Sequence, residues 1–218
     1  TRELKQSLPL TDSQIVTFGI VPSIPHTGYG YISPGENLQT GFKVREFKEK
    51  PDARTAKEYV DKGYFWNSGI FLFSVPVFKS ELTKYQPDIA SAFEKGVVWD
   101  ELPSISIDYG ILEHSDAIAV VPLSTSWSDL GNFNAWYEIS EKDEQENTGD
   151  CVAIDSQGNF VTTQDRFAAL IGIQNTIVVE TPDALLICRR DMAEKVGDLV
   201  KDLKKKNNPI TEIHQLVY

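Results

Sequence analysis

Between Cys151 and Cys188 five short apolar runs follow one another: CVAID, NFVTT, FAALIG, TIVVE and ALLIC. Turn-forming segments such as SQGN, QDR, IQN and TPD separate them. A new run begins roughly every eight or nine residues, which is strand spacing and leaves no room for crossover helices. This stretch is therefore a compact all-β unit, either a meander or a short β-solenoid. A final amphipathic helix is expected over Met192–Lys206, its Lys204–Lys206 run suiting the negative end of the helix dipole. The acidic, polar stretch Glu141–Asp150 (EKDEQENTGD) precedes the β unit and has the character of a linker.

Upstream the rhythm is different. The first sixteen residues are polar and patternless. Gln14–Val21 then reads as a buried strand stopped by Pro22, Tyr29–Ser33 as a short strand closed by Pro34-Gly35, and Phe42–Phe47 as a third. Asp52 can cap a helix from Ala53 to about Lys62, ended by Gly63. Trp66–Val75 is apolar enough to predict a strand buried on both faces. Pro76 opens a helix to about Tyr85, Asp88–Lys95 forms another, and Ala117–Pro122 is a strand. A last helix runs from about Asn132 to Ser140. The expected division is a mixed α/β region over 1–142, a β unit with its helix over 147–206, and a linker over 207–218.

Composition narrows the function. The chain has 21 basic against 32 acidic residues in 218, a formal net charge of −11, which argues against binding nucleic acid or an anionic membrane surface. No apolar run reaches the length of a membrane-spanning helix, and no leader is visible. Two distant cysteines, outside any C-x-x-C pattern, fit a reduced, cytoplasmic setting. Three dispersed histidines give no zinc-ligand spacing. No serine–histidine–acid set, glycosidase carboxylate pair or phosphate-cradling glycine loop stands out.

Four places put polar residues where an apolar element would not want them. Glu49-Lys50-Pro51 follows directly on a strand, the position at which α/β folds gather ligand-binding groups, although a solvated turn would read the same. Asn67 lies in the apolar WNSGIFLF, so its amide must find partners in the backbone or in a ligand. Asp129 stands at a loop-to-helix junction, where an aspartate most often caps the helix and can alternatively serve a metal or ligand. Gly30, in GYG, permits close approach of a ligand to the backbone. Trp66, Trp127 and Trp136 read as core aromatics.

In order along the chain, VTFGI (16–20), TGYGYI (27–32), FKEKPD (47–52), WNSGIF (66–71), SIDYGILE (106–113) and WSDLGNFNAWYE (127–138) together resemble the mannose-1-phosphate guanylyltransferase family. IVVETPDALLIC (177–188) is similar to the β segment that follows in the same enzymes. The resemblance implies an α/β fold: the C-terminal portion of a Rossmann-like nucleotidyltransferase mixed sheet, then a small β-helix-like unit and a terminal helix. It implies the reaction of mannose 1-phosphate with GTP to give GDP-mannose and pyrophosphate, assisted by Mg²⁺. It also implies roles: Lys50 for the sugar phosphate, Glu49 for sugar hydroxyls, Asn67 for a donor–acceptor contact to the same ring, and Gly30 for a backbone contact. Asp108 would line the sugar end, and Asp129 would be a Mg²⁺ ligand and, with Lys50, part of the catalytic set.

There are two departures. His26 stands where relatives commonly carry glutamate. The family's glycine- and arginine-rich nucleotide loop is not in this sequence. The expectation is therefore the sugar half of a larger enzyme, unable alone to form GDP-mannose and prone to aggregate, possible homo-oligomerisation being left open. Two alternatives stand beside it: a non-catalytic sugar-phosphate-binding or regulatory subunit of the same ancestry, and another hexose-1-phosphate nucleotidyltransferase. The terminal ITEIHQLVY resembles the linker to an isomerase domain in bifunctional relatives.

Overall fold

The computed structural model describes residues 2–96 and 102–212, apart from the side chain of Glu94. The expected linker lies outside the described residues from 213 onward. The last described element is a 3₁₀ turn, Pro209–Thr211. By packing, the chain forms two compact units, residues 1–127 and 128–218. Among the described residues no helix is long and apolar enough to cross a membrane.

The first unit opens with a short helix, α1 (Arg2–Ser7), and a 3₁₀ turn, Leu8–Asp12, where the sequence shows no pattern. Its body is a five-stranded mixed sheet made of β1 (Ile15–Ile20), β2 (Tyr31–Leu38), β3 (Gly41–Lys48), β4 (Phe65–Leu72) and β5 (Ile118–Pro122). The order β1-β4-β2-β3-β5 closes on itself, because β5 pairs both with β3 and, in parallel, with β1. All six residues of β1 are buried, as a strand in the middle of a packed sheet requires. Ile15, Ile32, Phe47, Ile118 and Val120 form one core with Ile111 and Leu112, while Val16, Phe18, Ala119 and Val121 form another.

Helix α2 (Ala53–Asp61) is capped as its sequence suggests: Asp52 Oδ1 accepts the Thr55 N–H at 2.8 Å, and Gly63 leaves the helix at φ +75°. Helices α3 (Val75–Tyr85) and α4 (Pro87–Lys95) both carry a proline in their first turn, where its missing N–H costs nothing.

Two strands differ from expectation. Pro34-Gly35 does not end β2, which runs on to Leu38. The pairing with β3 shifts register on both sides of Pro34, and a bulge is where a strand tolerates a residue without an N–H. Strand β4 is not buried on both faces, since Ile70 is 44% exposed. Gly69 sits at φ +71°, and the pairing with β1 jumps between Thr17 and Gly19, so the inside–outside alternation is interrupted there.

The second unit begins with α5 (Phe133–Ile139), which the sequence pattern groups with the preceding domain. Its Tyr137 and Phe133 instead pack with Phe160, Ile177 and Ala193. Five strands follow: β6 (Cys151–Ile154), β7 (Phe160–Thr162), β8 (Ala168–Ile171), β9 (Thr176–Glu180) and β10 (Leu185–Arg189). Strands β6 and β8 pair in parallel, as do β7 and β9, one coil apart in sequence. Parallel pairing of strands two apart excludes a meander and selects the solenoid, closed by an antiparallel β10. A 3₁₀ stretch, Arg190–Lys195, and α6 (Val196–Lys205) share the segment expected to be one helix.

Candidate functional site

Register builds the site. Tyr31 pairs with both Lys48 and Trp66, so the next residues outward, Gly30, Glu49 and Asn67, emerge together at one end of the sheet. The Asn67 N–H donates to the Gly30 carbonyl at 2.8 Å, carrying the ladder one step past the strand. Five of the six expected site residues meet here: Gly30, Glu49, Lys50, Asn67 and Asp108.

Glu49 is the central group. Its side chain is only 10% exposed, and Oε1 pairs with the Lys50 ammonium at 3.2 Å. Oε2 is buried and accepts no hydrogen bond from any described residue. Burial holds the Glu49 carboxyl above the ordinary carboxylate range, opposed by the Lys50 contact and reinforced by the charge of Asp108. A buried, unpartnered carboxylate oxygen is costly unless something is meant to meet it. Gly30 makes room for it, since a Cβ there would come within 2.5 Å of Oε2. A side chain at position 30 would push the Glu49 carboxylate aside.

Lys50 takes φ +45°, the left-handed region that a residue before proline seldom adopts, while its side chain remains largely exposed. The turn is held from below by Glu113, whose Oε1 accepts the Glu49 N–H at 3.0 Å and pairs with Lys48 at 3.6 Å. Sequence reasoning assigns no role to Glu113. It follows Asp108 across a single π-helical turn (Asp108–Leu112), and its own N–H donates to the Asp108 carbonyl at 3.0 Å. The spacing D-x-x-x-x-E within SIDYGILE is the available signal.

Asn67 is held on several sides. Thr17 donates its hydroxyl to Oδ1 at 3.0 Å, the Gly69 N–H donates to the same oxygen at 3.2 Å, and Nδ2 donates to Asp108 Oδ1 at 3.1 Å. Thr17 is fully buried and likewise escapes a sequence reading, because a lone threonine in a β-strand carries no signal of its own. Behind the sheet end, Tyr29 stacks on His26 with ring centroids 4.0 Å apart, and meets Trp66 and Trp127 edge-on at 5.0 and 5.2 Å. His26 Nδ1 accepts the Gly28 N–H at 3.0 Å, so this residue shapes the GYG loop.

Asp129, the sixth expected residue, belongs to the second unit. It does not cap α5: Asn132 does, accepting the Ala135 N–H at 3.0 Å. Leu130 sits at φ +51°, and a Cβ at Gly131 would lie 2.5 Å from Asp129 Oδ2, so the loop is folded tightly around this carboxylate. Trp136 is 47% exposed rather than a core residue; its indole N–H donates to the Leu130 carbonyl at 3.3 Å. Among the described residues no group of three or more His, Cys, Asp or Glu could by itself hold a metal ion. A single carboxylate such as Asp129 still suits Mg²⁺, a hard cation that takes one or two protein carboxylates and fills its shell with water and substrate phosphate.

The chain is 39% identical over 227 residues to mannose-1-phosphate guanylyltransferase of Salmonella muenchen, covering 95% of this chain and 48% of that protein. It is 38% identical to the xanthan biosynthesis protein XanB of Xanthomonas campestris pv. campestris, covering 94% and 47%. The chain spans about half the length of these curated relatives. A crystal structure described as mannose-1-phosphate geranyltransferase from Thermus thermophilus superimposes with a TM-score of 0.82 at 31% identity, over 93% of this chain and 64% of that one. Nucleotidyltransferases of this kind typically use a divalent metal. Residues 149–203 match the MannoseP isomerase/GMP-like beta-helix domain, and residues 4–146 match the nucleotidyl transferase model, so the chain belongs to the nucleotidyl transferase family.

Proposed function

We propose that this chain carries the sugar-phosphate side of a mannose-1-phosphate guanylyltransferase, which converts mannose 1-phosphate and GTP into GDP-mannose and pyrophosphate in the cytoplasm. The observation that carries the reading is the buried Glu49 Oε2 with no partner among the described residues, framed by Gly30, Asn67, Asp108 and the Lys50 ammonium. A carboxylate acceptor for hydroxyls beside an exposed cation for phosphate is what a hexose 1-phosphate calls for.

In this reading Lys50 binds the sugar phosphate as a point charge and exchanges part of its contact with Glu49 for the phosphate. Glu49 accepts a hydrogen bond from a ring hydroxyl, which satisfies Oε2. Asn67 supplies a further contact to the ring and Asp108 lines the sugar end. Asp129 would hold Mg²⁺, which when bound neutralises the crowded phosphates. Fixing the sugar phosphate in one orientation contributes to the rate by turning an encounter of two anions into a positioned attack.

The test is pyrophosphate release from GTP plus mannose 1-phosphate, using the protein as its own gene encodes it. Turnover dependent on both substrates is expected. Absence of turnover with retained sugar-phosphate binding would favour the binding-subunit alternative.

A further inference from the structure

Counting hydrogen-bond capacity at Asn67 leads beyond the general assignment of a sugar contact. A carboxamide has two acceptor lone pairs on oxygen and two N–H donors. Both lone pairs of Asn67 Oδ1 are used, one by the Thr17 hydroxyl at 3.0 Å and one by the Gly69 N–H at 3.2 Å. One N–H is used by Asp108 at 3.1 Å. The remaining capacity is a single N–H donor. Across Gly30, the Asn67 Cβ and Glu49 Oε2 flank the same point, at 3.3 and 2.5 Å from where a Gly30 Cβ would stand.

We infer that Thr17 is a positioning residue that, together with Asp108, fixes the polarity of Asn67, so that the site presents one amide donor beside one carboxylate acceptor. The inference rests on the sugar-phosphate reading of the site. The group that satisfies both partners must donate to Glu49 and accept from Asn67, which a ring hydroxyl does. A group that can only donate, such as an ammonium, would satisfy Glu49 and leave the Asn67 N–H unpaired. Without the Thr17 hydroxyl, Oδ1 keeps only the longer Gly69 contact, and the amide's orientation is held less firmly, by that contact and Asp108.

Thr17→Val keeps the β-branched shape and removes the hydroxyl; Thr17→Ser keeps the hydroxyl. In the protein as its gene encodes it, Thr17→Val is expected to raise KM for mannose 1-phosphate about three- to ten-fold, the scale of one neutral hydrogen bond, with kcat and the KM for GTP little changed. Thr17→Ser should restore KM. In a double-mutant cycle with Asn67→Ala, Thr17→Val should add almost nothing. Wild-type turnover with an unchanged KM in Thr17→Val, or full additivity with Asn67→Ala, would overturn the inference. A second readout needs no turnover: the Asn67 side-chain amide protons, assigned by their loss in Asn67→Ala, should exchange slowly with solvent in wild type and in Thr17→Ser. In Thr17→Val they should exchange faster and move in chemical shift. Failure of the wild type to turn over or to bind mannose 1-phosphate would count against the proposed function alone, whereas Asn67 amide protons with wild-type shifts and exchange rates in Thr17→Val would refute the positioning role whatever the substrate.

Discussion

Buried polar groups are treated in opposite ways in the two units. In the solenoid, Asn159 is fully buried and its amide donates to Asn147 Oδ1 at 2.8 Å and to the Ile173 carbonyl at 3.0 Å, while its oxygen accepts the Thr176 N–H at 2.9 Å. Asn147 in turn donates to the Ser156 carbonyl at 3.1 Å and to Asp143 at 3.3 Å. These asparagines tie successive coils together and have little left to offer a ligand. In the first unit Glu49 is well hidden too, yet one of its carboxylate oxygens has no partner among the described residues. Satisfied burial stabilises a fold, whereas unsatisfied burial of a charged group marks a place kept ready for something else. The solenoid is not free of orphans, since the Thr148 hydroxyl is one, but a neutral hydroxyl costs far less than a carboxylate.

The largest effect tests whether this contrast follows the boundary between the units, because Asp129 lies in the second unit but is assigned to chemistry. Asp129→Asn should lower kcat on the order of 10²–10³-fold, the scale of losing one preorganised charge-stabilising group, and weaken activation by Mg²⁺. Its Tm should stay near wild type, since the cap of α5 is Asn132. An early-melting variant with normal turnover would put Asp129 with the structural asparagines.

Next comes the ladder itself. Asn159→Ala takes the Asn159 oxygen from the Thr176 N–H and one of two donors from the Ile173 carbonyl, which keeps the Gln157 N–H, and should cost about 1–3 kcal/mol in denaturant unfolding. The KM for mannose 1-phosphate should not move. A shift in KM without loss of stability would erase the distinction between the two regions.

Lys50→Ala is the converse case. The ammonium is largely exposed but pairs with Oε1 of the buried Glu49, so a loss of stability smaller than that of Asn159→Ala should accompany its removal. The charge-assisted phosphate contact it would make is worth roughly 1.5–3 kcal/mol, about ten- to a hundred-fold in kcat/KM, expressed mainly in the KM for mannose 1-phosphate. An unchanged KM for the sugar phosphate would remove Lys50 from the site.

The smallest effect sharpens the account of Glu49. Burial raises its folded-state pKa above the ordinary 4.5, so the native state binds this proton more tightly than the unfolded chain does. Its contribution to stability is then greatest at low pH and is lost as pH rises from about 4.5 through the raised value. Glu49→Gln carries no such charge, so its Tm relative to wild type should climb across that interval. Sugar-phosphate affinity should fall at the same time. A Tm difference that stays constant from acid to neutral pH would mean that burial does not penalise the carboxylate.

The sequence alone determined most of the elements and the family. Local signals suffice for the elements: a capping Asp52, prolines opening α3 and α4, and the short β cadence after Cys151 each act within a few residues. The motif order also singled out Gly30, Glu49, Lys50, Asn67 and Asp108. What needed the tertiary structure were facts set by partners distant in sequence. Register at Tyr31 gathers residues 30, 49 and 67 at one sheet end. Thr17 and Glu113 gain roles because β1 and the Asp108 turn deliver them to Asn67 and Glu49, 50 and 64 residues away. The same holds for the solenoid, where β6 reaches past β7 to pair with β8, and for the β4 irregularity beside the exposed Ile70. Hydrogen-bond saturation and burial belong to three-dimensional neighbourhoods, and a one-dimensional pattern carries no count of lone pairs.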